Sequence, residues 1–118
     1  MRITLTAIFT LLASQVASMD VWFCNEIESL GWRTQTKKIY NFAPETFKFA
    51  LNNQKQIEFG SSGYFADYTL TVDSVLGAGG IIYASDEGAK MLLAGGFFQY
   101  VSVGINGSTM IIAECEKF

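Results

Sequence analysis

The chain has no histidine, one proline and only two cysteines among its 118 residues. Without histidine, the Ser-His-Asp and Cys-His arrangements of nucleophilic hydrolases are excluded. Two cysteines alone also provide too few soft ligands for a zinc or similar metal site. The acidic pairs Asp67 with Asp73 and Asp86 with Glu87 lie where solvated strand and turn residues are expected. We therefore expect no catalytic activity, no metal site and no cofactor.

Positive charge is also scarce, because eight Lys and Arg residues stand against eleven Asp and Glu. The net charge is −3, and the longest basic run is only Lys37-Lys38. Such a chain has no general electrostatic attraction to nucleic acid or to an anionic membrane surface, which select for basic patches. We expect no nucleic-acid partner.

The N-terminal segment MRITLTAIFTLLASQVAS has the pattern of a secretory signal peptide. Arg2 precedes an apolar run over residues 3–12, and small residues close the segment at 16–18. The run is shorter than the about 20 residues needed for a retained transmembrane anchor. The sequence predicts a signal peptide over residues 1–18 and one secreted, periplasmic or extracellular domain over 19–118, with no membrane span after signal removal. The alternative is a buried N-terminal strand or helix.

Two cysteines in an exported chain favour one disulfide, between Cys24 and Cys115. It would close a loop of roughly 90 residues and contribute about 4 to 5 kcal/mol in the chain-entropy model. Two free thiols are the alternative. Because bridged Cα atoms lie within about 7 Å of each other, the bond predicts that the first and last elements are neighbours.

Alternation of polar and apolar residues with period two predicts half-buried strands in much of the chain. The segments with this pattern are TFKFAL, QIEF, DYTLTVDS and RTQTKKIYNF. The last would be one strand, with Trp32, Tyr40 and Phe42 on the same face. Glycine-rich breakers separate such runs, which predicts an all-β fold of about eight short strands in an antiparallel barrel or sandwich. PETFKFALNN and SDEGAKMLLAGG are also compatible with helices.

Near the C-terminus, Asn106-Gly107 lies between apolar runs, which is a strong signal for a two-residue hairpin turn. A turn at these residues would pair Val103 with Met110 and Val101 with Ile112. With the disulfide inside the domain, one face of the hairpin would point outward and be a candidate contact surface for a protein partner. That face comprises Val101, Val103, Ile105, Met110 and Ile112. The alternative is a central strand pair covered on both sides.

One further segment, EGAKM followed by GGFF, resembles the serine-glycine-alanine-lysine/arginine-tyrosine loop of periplasmic C-type lysozyme inhibitors. These inhibitors are single-domain antiparallel barrels with a cysteine near each end of the mature chain. Glu87 stands at the position of the inhibitory serine, and Met91 replaces the aromatic residue. The resemblance covers about ten residues and the cysteine placement, so it serves only as an analogy.

Three functions are therefore compatible with the sequence. The first is an exported binding or inhibitor-like module without catalytic activity, which contacts a protein partner. The second is a carrier of a small apolar ligand inside the barrel, with Phe47, Phe49, Phe59 and Tyr100 as candidate lining residues. A small barrel can instead be filled by its own aromatic side chains. The third is a self-associating structural protein.

Overall fold

The computed structural model describes residues 20–77 and 80–118, and every helix or strand in these ranges is a β-strand. The signal peptide predicted for residues 1–18 lies outside the described residues. The strands are β1 (Asp20–Arg33), β2 (Lys38–Asn41), β3 (Thr46–Asn52), β4 (Gln56–Phe59), β5 (Thr69–Leu76), β6 (Ile81–Asp86), β7 (Ala89–Ala94), β8 (Phe97–Gly104) and β9 (Gly107–Lys117). The all-β prediction is confirmed, and both segments that were compatible with helices form strands.

Eight of these strands form a closed antiparallel barrel. Strands β3 to β9 follow one another as a meander, and β1 closes the sheet by pairing with both β3 and β9. The short strand β2 is additional, because it pairs with β1 over residues 30–33, beyond the part of β1 that pairs with β3. The barrel alternative is therefore correct, and the first and last strands are neighbours as predicted.

The predicted disulfide joins Cys24 on β1 to Cys115 on β9. The two residues are directly opposite each other in the ladder, with their Cα atoms 4.0 Å apart. Both side chains are buried within the core. The bond therefore links the strand that closes the barrel to the last strand of the meander, across 91 residues of sequence.

Aromatic side chains fill the barrel interior. Phe49 and Phe98 are almost completely buried, and their ring centroids lie 5.9 Å apart. Phe47 packs edge-on against Phe98 at 5.0 Å, and Phe59 packs against Phe49 at 5.7 Å. Contacts at this spacing are favourable ring-to-ring geometries, so one continuous aromatic cluster occupies the centre of the core.

One end of the barrel, which we call the mouth, is covered by the loop over residues 60–68. Hydrogen bonds from Asp67 N to Gly60 O (2.8 Å) and from Phe59 N to Tyr68 O (2.9 Å) close the base of this loop. Phe65 extends from it into the core, where it is only 2% exposed and stacks on Phe59 with ring centroids 4.4 Å apart. The loop therefore acts as a plug over the aromatic cluster.

The prediction of one strand over RTQTKKIYNF is wrong. Strand β1 ends at Arg33, the chain turns with Lys37 N donating to Arg33 O at 2.8 Å, and β2 returns alongside β1. Trp32 is consequently opposite Ile39, whereas Tyr40 is opposite Gly31 and faces the other side. The alternation of polar and apolar residues continues across the turn, so the sequence pattern did not reveal the turn.

The turn between β8 and β9 lies one residue earlier than predicted. Gly104 pairs with Gly107, so the two loop residues are Ile105 and Asn106. Gly107 has φ +149°, and a Cβ atom there would lie 1.9 Å from Trp32 O. Glycine is thus required by the close approach of β1. The pairing differs from the predicted one by two positions, since Val103 pairs with Ser108 and not with Met110. A shift of two positions leaves each residue on its predicted face.

Replacing both cysteines with serine (Cys24→Ser, Cys115→Ser) should lower the free energy of unfolding by about 4 kcal/mol, because the unfolded chain loses its long closed loop. Urea denaturation of the oxidised wild type and the double variant measures the difference. Reductant should lower the midpoint of the wild type but leave that of the double variant unchanged. Equal midpoints for both proteins without reductant would contradict the prediction.

Candidate functional site

The outward side of the β8–β9 hairpin is apolar, and its side chains are accessible. Val103 is 66% exposed and Ile105, at the tip, is 92% exposed. Val101 and Met110 are also exposed, and Ile112 is half-buried. On the inward side, by contrast, Phe98, Tyr100, Ile111 and Ala113 are buried. The structure therefore brings together, on one accessible face, the five residues that the sequence singled out as candidate contacts.

This apolar surface continues across β1 and β2. Val103 pairs with Ser108, Ser108 with Trp32 and Trp32 with Ile39, which places four strands in one lateral row. The next row runs through Val101, Met110 and Leu30. We call the whole surface the apolar face, formed by Leu30, Trp32, Ile39, Val101, Val103, Ile105, Met110 and Ile112.

Sequence reasoning missed Leu30, Trp32 and Ile39 as members of the apolar face. Their position depends on the register of β1 against β9, which contains a bulge between Glu26 and Glu28. Because of the bulge, every later β1 residue lies on the opposite face of the sheet from the one that strict alternation would give it. The disulfide could have placed β1 beside β9, but no sequence signal marked the extra residue.

Two hydrogen bonds from Thr34, one from its main chain and one from its side chain, hold the exposed tip of the hairpin in place. Thr34 N donates to Asn106 O at 3.0 Å, and Thr34 Oγ1 donates to Ile105 O at 3.0 Å. Both bonds connect the tip to the turn that follows β1. Ile105 is therefore exposed on a braced turn, and the apolar face has a defined shape.

Charged residues border the apolar face on two sides. Lys90 on β7 is opposite Val101, and Glu28 on β1 is opposite Ile112. Glu114 is the next outward residue on β9 after Ile112 and is exposed. The border of the apolar face next to Ile112 is thus acidic, and the border on the β7 side is basic.

Three of the four candidate ligand-lining residues form ring contacts in the core, where Phe59 lies 6.1 Å from Phe47 and 5.7 Å from Phe49, and Tyr100 joins them through Phe65. Phe49, Phe59 and Tyr100 are buried, and Phe47 is partly buried. Phe65, which sequence reasoning did not identify, lies between them, with its ring centroid 5.0 Å from Phe47 and 4.8 Å from Tyr100. Its position after the GSSG breaker gave no indication that the loop folds back over the barrel.

A cleft of about 580 Å³ opens at the mouth, beside the plug. Its lining includes Tyr64, Tyr68, Tyr100, Arg33 and Thr109, together with Val103 and Ile105 from the edge of the apolar face. Tyr68 Oη donates a hydrogen bond to Asp86 Oδ2 at 2.7 Å. A second cleft of about 350 Å³ has Arg33, Tyr64 and Thr109 in common with the first.

Two tyrosines at the mouth, Tyr68 and Tyr100, have pKa values above the ordinary value of a tyrosine. Burial, together with the negative potential of Tyr64, raises the pKa of Tyr100 to about 12. The pKa of Tyr68 is raised further, first by burial and then by its hydrogen bond to the Asp86 carboxylate. The same hydrogen bond lowers the pKa of Asp86. Neutral tyrosines and an ionised Asp86 therefore coexist over a wide pH range.

In the parts of the chain that the structure describes, no three histidine, cysteine or acidic side chains are close enough together to bind a metal ion. Within the same residues no helix has the length and apolar character needed to cross a membrane. No protein-family model, curated protein or solved structure matches the chain. The segment that resembles the lysozyme-inhibitor loop forms the β6–β7 turn and the first residues of β7, and the resemblance remains an analogy.

The stability of the domain should fall as the pH rises from 10 towards about 12, because tyrosines with raised pKa values bind their protons more tightly in the folded state. Their contribution is complete below the ordinary value near 10 and is lost as the pH approaches the folded value. Urea midpoints across this range measure the loss. Tyr100→Phe should reduce the loss, whereas Tyr83→Phe, on the outer side of β6, should not; equal losses in both variants would contradict this assignment.

Proposed function

We propose that the domain is an exported binding module without catalytic activity that contacts a protein partner through the apolar face. The observation that carries the proposal is an accessible apolar surface on four adjacent strands, built from side chains that the barrel does not use for its own core. Contiguous apolar patches of this kind on small domains are typical of interaction sites.

The composition of the apolar face supports a specific interface. Trp32 lies inside the patch between two strands that carry aliphatic side chains, and buried tryptophans often provide a large share of binding energy. Burying a Val, Leu, Ile or Met side chain contributes about 1.5 to 3 kcal/mol. The braced hairpin tip lowers the entropy lost on binding, because Ile105 is already held by Thr34.

Charge indicates the kind of partner. Glu28 and Glu114 border one side of the apolar face, and acidic residues outnumber basic ones in the whole chain. A complementary partner would present an apolar centre with basic residues facing Glu28 and Glu114, since matched charges at a rim guide association and suppress wrong partners. We therefore propose a partner protein with a basic rim on this side.

Secretion is part of the proposal. The disulfide between Cys24 and Cys115 is consistent with an oxidising compartment, and the N-terminal segment has the signal-peptide pattern. The partner would then be a protein of the periplasm or the extracellular space. An inhibitor-like role corresponds to the case in which this partner is an enzyme.

The test uses residues 19–118 as bait against the exported proteins of the source cell, with Met110→Lys as the variant and Thr71→Lys as its control. Met110 lies in the middle of the apolar face, whereas Thr71 is exposed on β5, outside it. We expect a partner that, once purified, binds the wild type and Thr71→Lys in a one-to-one complex and binds Met110→Lys at least about tenfold more weakly. Glu114→Lys should also weaken binding, more strongly at low salt.

Three results would overturn the proposal. One is a partner that binds Met110→Lys as tightly as the wild type. Another is a wild-type domain that forms oligomers in sedimentation experiments while Met110→Lys stays monomeric, which would assign the apolar face to self-association. Binding of the wild type to lipid vesicles in place of a protein would likewise contradict it.

A further inference from the structure

The two clefts at the mouth adjoin each other, because Arg33, Tyr64 and Thr109 line both of them, and we call them together the groove. Their volumes of about 580 and 350 Å³ lie in the range of small-molecule sites, about 300 to 1,000 Å³. The plug loop 60–68 forms the side of the groove that carries Tyr64. Two adjoining clefts suit an extended ligand that reaches from one into the other.

The groove wall combines an aromatic ring with many hydroxyl groups. Tyr64 is 51% exposed, and its ring is supported from behind by edge-on contacts with Phe65 at 5.0 Å and Tyr100 at 6.1 Å. Hydroxyl groups from Ser102 and Thr109 lie along the groove. A fixed, accessible ring beside hydroxyl groups offers an apolar platform together with hydrogen-bond donors and acceptors.

Charge in the groove disfavours an anionic ligand. Glu26, Glu45 and Glu87 line it together with a single cationic residue, Arg33. An anion would meet three carboxylates, whereas a cation would be attracted by them, an attraction that Arg33 offsets only in part. A purely apolar ligand would bury these polar groups without hydrogen bonds, which is costly. A neutral ligand with many hydroxyl groups and one apolar face can pack on Tyr64 and hydrogen-bond to the carboxylates and to Arg33, and a cation is the competing ligand that the experiment must test.

We propose that the groove binds a neutral saccharide of two or more rings. The C–H face of one sugar ring packs on the ring of Tyr64. Arg33, which lines both clefts, donates hydrogen bonds to sugar hydroxyls. The carboxylates of Glu45 and Glu87, one in each cleft, accept hydrogen bonds from other sugar hydroxyls. The site shares Val103 and Ile105 with the edge of the apolar face but does not include its centre at Met110, so saccharide binding goes beyond the proposed protein contact.

The experiment titrates residues 19–118 with four neutral tetrasaccharides, namely cellotetraose, chitotetraose, maltotetraose and xylotetraose, at millimolar concentrations. Amide chemical shifts in NMR spectra report both affinity and location. We expect at least one of them to bind, with shifts confined to residues that line the groove, among them Arg33, Glu45, Tyr64 and Glu87. Tyr64→Ala should weaken this binding about tenfold or more, and Tyr64→Phe much less, because the ring is kept.

Two controls separate this site from the apolar face. Tyr83→Ala removes an exposed tyrosine from the outer side of β6 and should leave saccharide affinity unchanged. Met110→Lys should also leave it unchanged, because Met110 does not line the groove, so loss of the protein partner and loss of saccharide binding are distinguishable. The inference is overturned if none of the tetrasaccharides shifts the amide signals of residues at the mouth, or if spermidine binds there instead. It is also overturned if the Tyr64→Ala variant is folded and binds the saccharide as tightly as the wild type does.

Discussion

The pairing of β1 with β9 closes the sheet into a barrel and sets the position of every other strand. Eleven residue pairs connect the two strands, from Trp22 with Lys117 to Arg33 with Gly107. Their pairing converts an open meander into a barrel, and the bond between Cys24 and Cys115 fixes its register at one point. Because a closed barrel has no free edges at β3 or β9, edge-to-edge aggregation through these strands is prevented. A domain of about 100 residues gains much of its net stability from such a crosslink.

The same pairing produces both candidate sites. It places Trp32 beside the β8–β9 hairpin, so that two separate apolar segments become one outward surface. It also directs Arg33 towards the mouth, where the residue borders both clefts. The aromatic core, closed by Phe65, occupies the interior and leaves the outer face and the mouth as the places where the domain can meet other molecules. Both proposed contacts with other molecules therefore lie on the surface of this barrel.

Sequence reasoning predicted the strands with clean alternation, such as β3 and β4, and the disulfide that brings the ends together. It also predicted the faces of the β8–β9 hairpin, because an error of two positions in pairing preserves parity. It failed where one extra residue changes parity, as at the β1 bulge before Glu28, and where a loop returns to the core, as at Phe65. Such features depend on contacts between distant segments, which a local pattern does not encode. The mouth groove was missed for the same reason, since its lining residues come from several separate segments.

We would first test whether the apolar face is exposed in the isolated domain and covered by a protein partner. Methyl signals in NMR spectra, recorded with a soluble paramagnetic probe, report this solvent accessibility directly. In the isolated domain, the methyl groups of Val103, Met110 and Ile39 should be strongly broadened, whereas those of Leu70 and Ile111 in the core should not. Adding the purified protein partner should protect the first group alone. Protection of the Val103 and Met110 methyl groups in the isolated monomer, or unchanged broadening in the complex, would contradict the account.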